Sequence, residues 1–467
     1  MFSAVSRRAA LIDLGCSAAL FALLWSAYAP SLKHAPRCDQ WCFLVETMDR
    51  HTFSDTLAHC YSYNRTRGFA PGDTDLFRPV LFALLSAEKV VFGPDLGGPQ
   101  VIGILLHCIV CLLLLTLFRQ IVNLCDGSSD KGESPPRPIA ASLFPFALTG
   151  FFALNPGVQE LVIWTHLHGY LLFLVFLLGS LALLIRHASG PAAGKLRSPC
   201  LWGSWVLALL AAFTYELGQC YAVLAGLFLA AAVCPTSGWK RAAGLFALFA
   251  SVLLVYQGVN AADMAAHEGS FLPEHNRERI LDRMFTPPTA VHSVRFVVYT
   301  TIQPFFPSLI DSTYAGDRLQ IAESLWTRHG RRNLGPAAWV SAAVVVLAAG
   351  LGAAGLGRLV RRKDRLPLLV FLLAAGLYGL YAAMTVLGRM NLRPVPYVLS
   401  SNCYYTYTAL LFALLAGFIG WAELARDGAR ANLRAGLVVG LLALALLGAE
   451  RVRQVNQDVA GELAEVS

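Results

Sequence analysis

The side chains in this sequence best suited to chemistry are carboxylates, arginines and aromatics a few residues outside long apolar runs. Asp39 follows the first run by about ten residues, in Arg37-Cys38-Asp39-Gln40-Trp41. Glu160 and His168 occupy the short turn between the third and fourth runs, and Glu216 the turn between the fifth and sixth, in Thr214-Tyr215-Glu216-Leu217-Gly218. Arg389, Asn391, Arg393, Asn402, Tyr404 and Tyr405 lie between the ninth and tenth. A carboxylate so placed can take a proton from a hydroxyl, and an arginine can grip a phosphate through two parallel hydrogen bonds. Charged groups in or beside apolar spans are costly, which makes them functional candidates. Together these residues describe a site for a polar, phosphate-bearing molecule that arrives from the lipid. For each residue except Asp39, capping a helix end or snorkelling to water competes on equal terms.

The elements that must position these residues follow from composition. The chain of 467 residues is 56% hydrophobic and only 14% charged, against about 25% charge in an ordinary soluble domain. Apolar runs near twenty residues recur along most of its length, each able to cross a hydrocarbon core of roughly 30 Å as a helix. The expectation is an all-α polytopic membrane protein with about eleven spans. The first covers Leu11 to Ala29 and the second Val101 to Phe118; the last two cover Tyr407 to Leu424 and Ala435 to Leu447. Of the eleven cysteines, Cys108 and Cys111 are spaced CxxC but lie inside an apolar run, where cysteine is simply a small hydrophobe, and none shows a Cys/His zinc spacing. The net charge of +8 sits between apolar runs, where it reports topology, and does not call for nucleic acid.

Lysine and arginine in short loops mark the cytoplasmic side. Arg7 and Arg8, Arg119 to Arg137, Arg186 to Arg197, Lys240 with Arg241, Arg358 to Arg365, and Arg426 to Arg434 all fall on one side if the spans alternate. The N-terminus is then cytoplasmic, behind an uncleaved signal anchor, and the carboxylate-bearing turns face outward. Two long segments, about 30 to 100 and about 261 to 336, share that outer side. Within the first, Phe77 to Phe92 reads as a helix lying in the interface, with Arg78 and Lys89 at its polar edges.

Four stretches carry a family resemblance. They are Phe77-Arg78-Pro79-Val80; Gly103 to Leu117 with His107; Pro156-x3-Glu160-x3-Trp164 followed by Leu171-Leu172; and Tyr215-Glu216-x-Gly218. In order and spacing the chain resembles the C-type (GT-C) multispanning glycosyltransferases that use polyprenyl-phosphate sugars. Within them it resembles the membrane part of the transmembrane and tetratricopeptide-repeat O-mannosyltransferases. The likeness covers roughly the first 230 residues. Gly103 replaces the family's Asn, and Asn155 its His. Gln40 follows Asp39 where the family has a second acid, His168 and Tyr170 stand for Arg and Asp, and Cys403 stands for the Arg before the tenth span.

The resemblance implies a GT-C-like catalytic core over residues 1–260, comprising seven spans and the outer loop 30–100 with its interfacial helices. A second outer segment, 261–336, and C-terminal spans, 337–467, would follow. It implies inverting transfer of a sugar from a polyprenyl-phosphate carrier to a hydroxyl of a glycan, lipid or protein acceptor on the extracytoplasmic face. Asp39 would be the general base. Arg78, His107, Glu160, His168, Glu216, Arg389, Arg393 and Tyr404 would line the substrate site. The resemblance names no certain cofactor, and Asp39 with Asp73 or Asp75 could hold a divalent cation. A transporter or flippase, or a surface-glycan polymerase or ligase, are the alternative readings. Orientation is directly testable: a reporter enzyme that folds only outside the cytoplasm should be active when inserted near residue 70 and inactive near residue 130. The opposite pattern would place the N-terminus outside.

Overall fold

In the computed structural model, residues 4–34, 39–66, 77–95, 97–125, 139–190, 193–267, 296–297, 300–305, 336–389, 403–425 and 431–464 are described. All their regular structure is helical. The helices are α1 (Ala4–Tyr28), α2 (Asp39–Glu46), α3 (Phe53–Thr66), α4 (Pro79–Phe92), α5 (Gly97–Cys125), α6 (Ile139–Ala153), α7 (Gln159–Ile163) and α8 (His168–Ser189). They continue with α9 (Pro199–Thr214), α10 (Leu217–Ser237), α11 (Trp239–His267), α12 (Pro336–Arg362), α13 (Arg365–Arg389), α14 (Cys403–Ala425) and α15 (Ala431–Ala464). Among the described residues nine helices are long and apolar enough to cross a membrane: α1, α5, α8 and α10 to α15. The chain is a multi-pass membrane protein. The two other expected spans are the shorter apolar helices Leu143–Ala153 and Pro199–Thr214. At 1.5 Å per residue, α9 is about 24 Å long, less than a full hydrocarbon core.

The bundle is built by neighbours in sequence packing antiparallel, α8 on α9 and α10 on α11, and by long-range pairs that close it: α5 on α8, α6 on α15, α12 on α14, and α1 on α15. Lipid provides no hydrophobic drive between apolar helices, so close backbone approach and interhelical hydrogen bonds must hold them. Both devices occur. At the α12–α14 crossing, a Cβ added to Gly355 or Gly420 would meet the backbone of the facing helix. Trp421 Nε1 beside this seam donates to the Ala348 carbonyl at 2.5 Å. Inside the bundle Ser180 and Ser204 exchange hydrogen bonds between α8 and α9, and the Tyr221 hydroxyl donates to Ser180 Oγ at 2.8 Å.

The basic turns collect at one end. α8 runs from His168 for 22 residues to Arg186 and His187 in its last turn, about 33 Å along its axis. α14 starts beside the turn 156–163 and ends near Glu423, which pairs with Arg362 at 2.7 Å. Lys240 and Arg241 open α11, after α10 has crossed from Glu216. Arg186, Lys240, Arg241 and Arg362 therefore lie together, at the end opposite His168 and Glu216.

At the Glu216 end one amide ties three segments. Asn456, fully buried on α15, accepts from Gln159 Nε2 through Oδ1 at 2.6 Å and donates Nδ2 to the Ala27 carbonyl at 3.0 Å. Its own carbonyl takes a hydrogen bond from His34 Nε2 at 3.1 Å. Asn456→Leu would strand a buried amide and a buried carbonyl, each worth about 1–3 kcal/mol. The expected loss is about 2–4 kcal/mol, read as a lower unfolding temperature in detergent. Exposed Gln457→Ala should change little, and equal unfolding temperatures for the two variants would refute this clasp.

Candidate functional site

The centre of the Glu216 end is an ion pair made by two chain reversals. Pro79 opens α4 and leaves Arg78 immediately outside it in a non-helical conformation, as expected for the residue before proline. The α9–α10 turn is tight because Gly218 packs where a Cβ would collide with the backbone of Ala211 and Ala212. Glu216 is thereby held facing Arg78. Arg78 Nε and Nη2 donate to Glu216 Oε1 and Oε2 at 2.8 and 2.7 Å, a bidentate fork. The side chains are 13% and 28% exposed, so the pair lies at the rim with the carboxylate more open than the guanidinium.

Aromatic rings frame it. The Arg78 guanidinium lies 4.8 Å from the Tyr215 ring centre and 5.9 Å from that of Tyr170, within cation–π range. Tyr170 and Tyr215 pack at 4.6 Å. Phe77 fits between Phe213 and Tyr256, and the Tyr256 hydroxyl donates to the Phe77 carbonyl at 2.9 Å. Burial acts to lower the Arg78 pKa, but the Glu216 carboxylate and the neighbouring tyrosines outweigh it, so the guanidinium stays charged. Burial pushes the Tyr215 phenol well above its usual range, so it remains a neutral hydroxyl.

His168 stands two residues before Tyr170 at the start of α8 and is fully buried. Its Nδ1 meets Glu88 Oε1 of α4 at 2.9 Å, with Glu88 only 5% exposed. The far side of the ring lies on Gly103: a Cβ there would sit 2.5 Å from His168 Nε2 and also strike the Val162 carbonyl. Gly103 and His168, both departures from the family pattern, thus fit each other. Glu88 was not singled out from the sequence; it sits on the apolar α4, one residue before the Lys89 assigned to the polar edge, and only burial identifies it. Asn155, another departure, caps the following turn by accepting from the Gly157 N–H at 2.9 Å and donates to the Pro304 carbonyl at 2.7 Å.

The remaining candidates distribute as follows. His107 lies deep in the bundle, with Nδ1 2.6 Å from the Tyr407 hydroxyl and Nε2 2.9 Å from the Ala153 carbonyl. It joins α5 to α6 and α14 and does not reach the rim. Asp39 begins α2, and α2 packs against the turn Thr165–Leu167 that leads into His168. Glu160 is in α7, Arg389 ends α13 and Tyr404 is in the first turn of α14; the side chains of these four residues, and Arg393, Asp73 and Asp75 entirely, lie outside the described residues. Among the described residues no three ligating side chains cluster as a metal site would require. The structure thus brings together Arg78, Glu216 and the start of α8, with the helix bearing Asp39 beside them.

Comparison with protein-family models, curated proteins and solved structures finds no match to this chain.

The ion pair makes a testable claim. Glu216→Leu leaves Arg78 charged and largely enclosed, which should cost about 3 kcal/mol. Arg78→Leu combined with Glu216→Leu removes both charges and should recover most of that loss in detergent unfolding. A double variant as unstable as the sum of the singles would show that the two residues do not act as a pair.

Proposed function

We propose that this chain is a membrane glycosyltransferase with about eleven spans and a cytoplasmic N-terminus, acting on the extracytoplasmic face. It moves a sugar from a polyprenyl-phosphate carrier to an acceptor hydroxyl. One observation carries the reading: the elements named by the family resemblance converge at one end of the bundle, opposite its basic end. Arg78 meets Glu216, Tyr170 meets Tyr215, and α2 with Asp39 at its start packs on the turn before His168.

In this reaction Asp39 accepts the proton of the acceptor hydroxyl, and the oxygen attacks the anomeric carbon from the side opposite the phosphate. The bond from that carbon to the phosphate oxygen breaks, its electron pair leaves with the carrier phosphate, and the configuration inverts. The departing charge needs a positive partner. Arg78 is already neutralised by Glu216, so Arg389 or Arg393 takes that role. Glu160 and Tyr404 line the sugar side. His107 and His168, buried as they are, act by holding α5 and α8 in place.

Asp39→Asn retains shape without basicity and should lower transfer by about 100-fold or more, within the range of general-base catalysis. Carrier binding and folding should be retained. The measurement is turnover of a polyprenyl-phosphate sugar by purified protein in liposomes, and near-normal turnover by the variant would remove Asp39 from this role.

A further inference from the structure

We propose that the ends of α10 and α11 beside the Arg78–Glu216 pair form a subsite for a neutral, hydroxyl-rich group, the sugar itself, with Gln219 and Gln257 as its direct contacts. This deepens the glycosyltransferase reading and rests on it. Gln219 lies in the first turn of α10, three residues after Glu216 and on the same side of the helix. Gln257 lies on α11 next to Tyr256, whose hydroxyl holds the Phe77 carbonyl adjoining Arg78. The two amides meet across the helices, Gln257 Nε2 donating to Gln219 Oε1 at 2.8 Å. Gln219 is half-buried and Gln257 exposed.

That bond leaves the Gln219 NH2 group and the Gln257 carbonyl available; exchanging oxygen and nitrogen on both amides leaves the same inventory of one donor group and one acceptor. Each Glu216 oxygen takes one hydrogen bond from Arg78 and retains a further acceptor site. The subsite therefore offers donors and acceptors in a small area with no net charge, because Arg78 and Glu216 cancel.

This chemistry selects its ligand. A phosphate would gain no unneutralised cation and would face the Glu216 carboxylate. A lipid tail would strip water from two amides without replacing their hydrogen bonds. Sugar hydroxyls donate and accept at once and satisfy both amides and the carboxylate. Depth suits this ligand too. Gln257 is six residues before Asp263, where the apolar run of α11 ends, about 9 Å along the axis. Exposed amides at that level are costly in lipid and are within reach of a headgroup.

The hydroxyls can belong to the carrier-linked donor sugar or to a glycan acceptor, and binding measurements on the full chain in phosphatidylcholine nanodiscs separate them. The probes are a polyprenyl-phosphate hexose, the same polyprenyl phosphate without sugar, and a free short glycan. Gln219→Ala, Gln257→Ala and Gln219→Glu are compared with wild type, with thermal unfolding confirming that each is folded. The expected result is a loss of about tenfold or more for a sugar-bearing probe in both alanine variants, unchanged binding of the bare carrier, and partial recovery in Gln219→Glu. Loss confined to the hexose carrier assigns the subsite to the donor; loss confined to the free glycan assigns it to the acceptor. If wild type binds sugar-bearing probes but both alanine variants bind them equally well, this proposal fails and the transferase reading stands. If wild type shows no preference for any sugar-bearing probe over the bare carrier, both fail.

Discussion

A guanidinium largely enclosed by protein must be neutralised where it stands, and the fork between Arg78 and Glu216 does this at the meeting point of two chain reversals. Arg78 belongs to the loop that enters α4, Glu216 to the turn between α9 and α10. Joining them fixes α4 onto α9 and α10, and the tyrosines on either side make the joint broad. Tyr215 precedes Glu216 and Tyr170 lies in the first turn of α8, so the guanidinium is enclosed by three separate segments. The second contact of α4, from Glu88 to His168, lies farther along the same helix and prevents it from pivoting about the first. The position of this end of the bundle follows from these two pairs.

Deeper in the membrane the same rule governs neutral groups. Every buried donor and acceptor requires a protein partner where water is scarce. His107 uses both ring nitrogens to join three helices, and the serines of α8 and α9 answer each other. Asn456 brings the C-terminal helix into contact with the end of α1 and with the turn that carries Gln159. These contacts align the segments leading to the rim. The residue after Gln159 is Glu160, and the chain leaving His34 reaches α2 within five residues. Order at the rim is thus inherited from polar contacts beneath it.

The membrane character, the helical class and the concentration of basic residues at one end were legible in the sequence, because apolar run length and charge placement act locally. The resemblance singled out Arg78 and Glu216, but their pairing was not legible. It spans 138 positions in the chain and depends on where two turns meet in space. Glu88 was hidden for the same reason: nothing in its neighbourhood distinguishes a carboxylate facing water from one facing His168. His107 differs in the opposite direction. The resemblance placed it at the substrate, whereas it is buried with Nδ1 against the hydroxyl of Tyr407, 300 residues away. Gly103 and His168 read as two separate departures from the family pattern, yet one makes room for the other. The short helices α6 and α9 show where run length alone gives out, since both are apolar yet shorter than a full crossing requires.

The central claim is that a lipid-linked sugar phosphate is held at the Glu216 end of the bundle. The most direct measurement is photo-crosslinking of the full chain in liposomes with a polyprenyl phosphate carrying a photoreactive group beside the phosphate, followed by peptide mapping of the adducts. The account predicts adducts on α2, at the starts of α8 and α14 and on the segment that carries Arg389 and Arg393, competed away by unlabelled carrier. Adducts confined to the opposite end, around Arg186, Lys240 and Arg362, would contradict it.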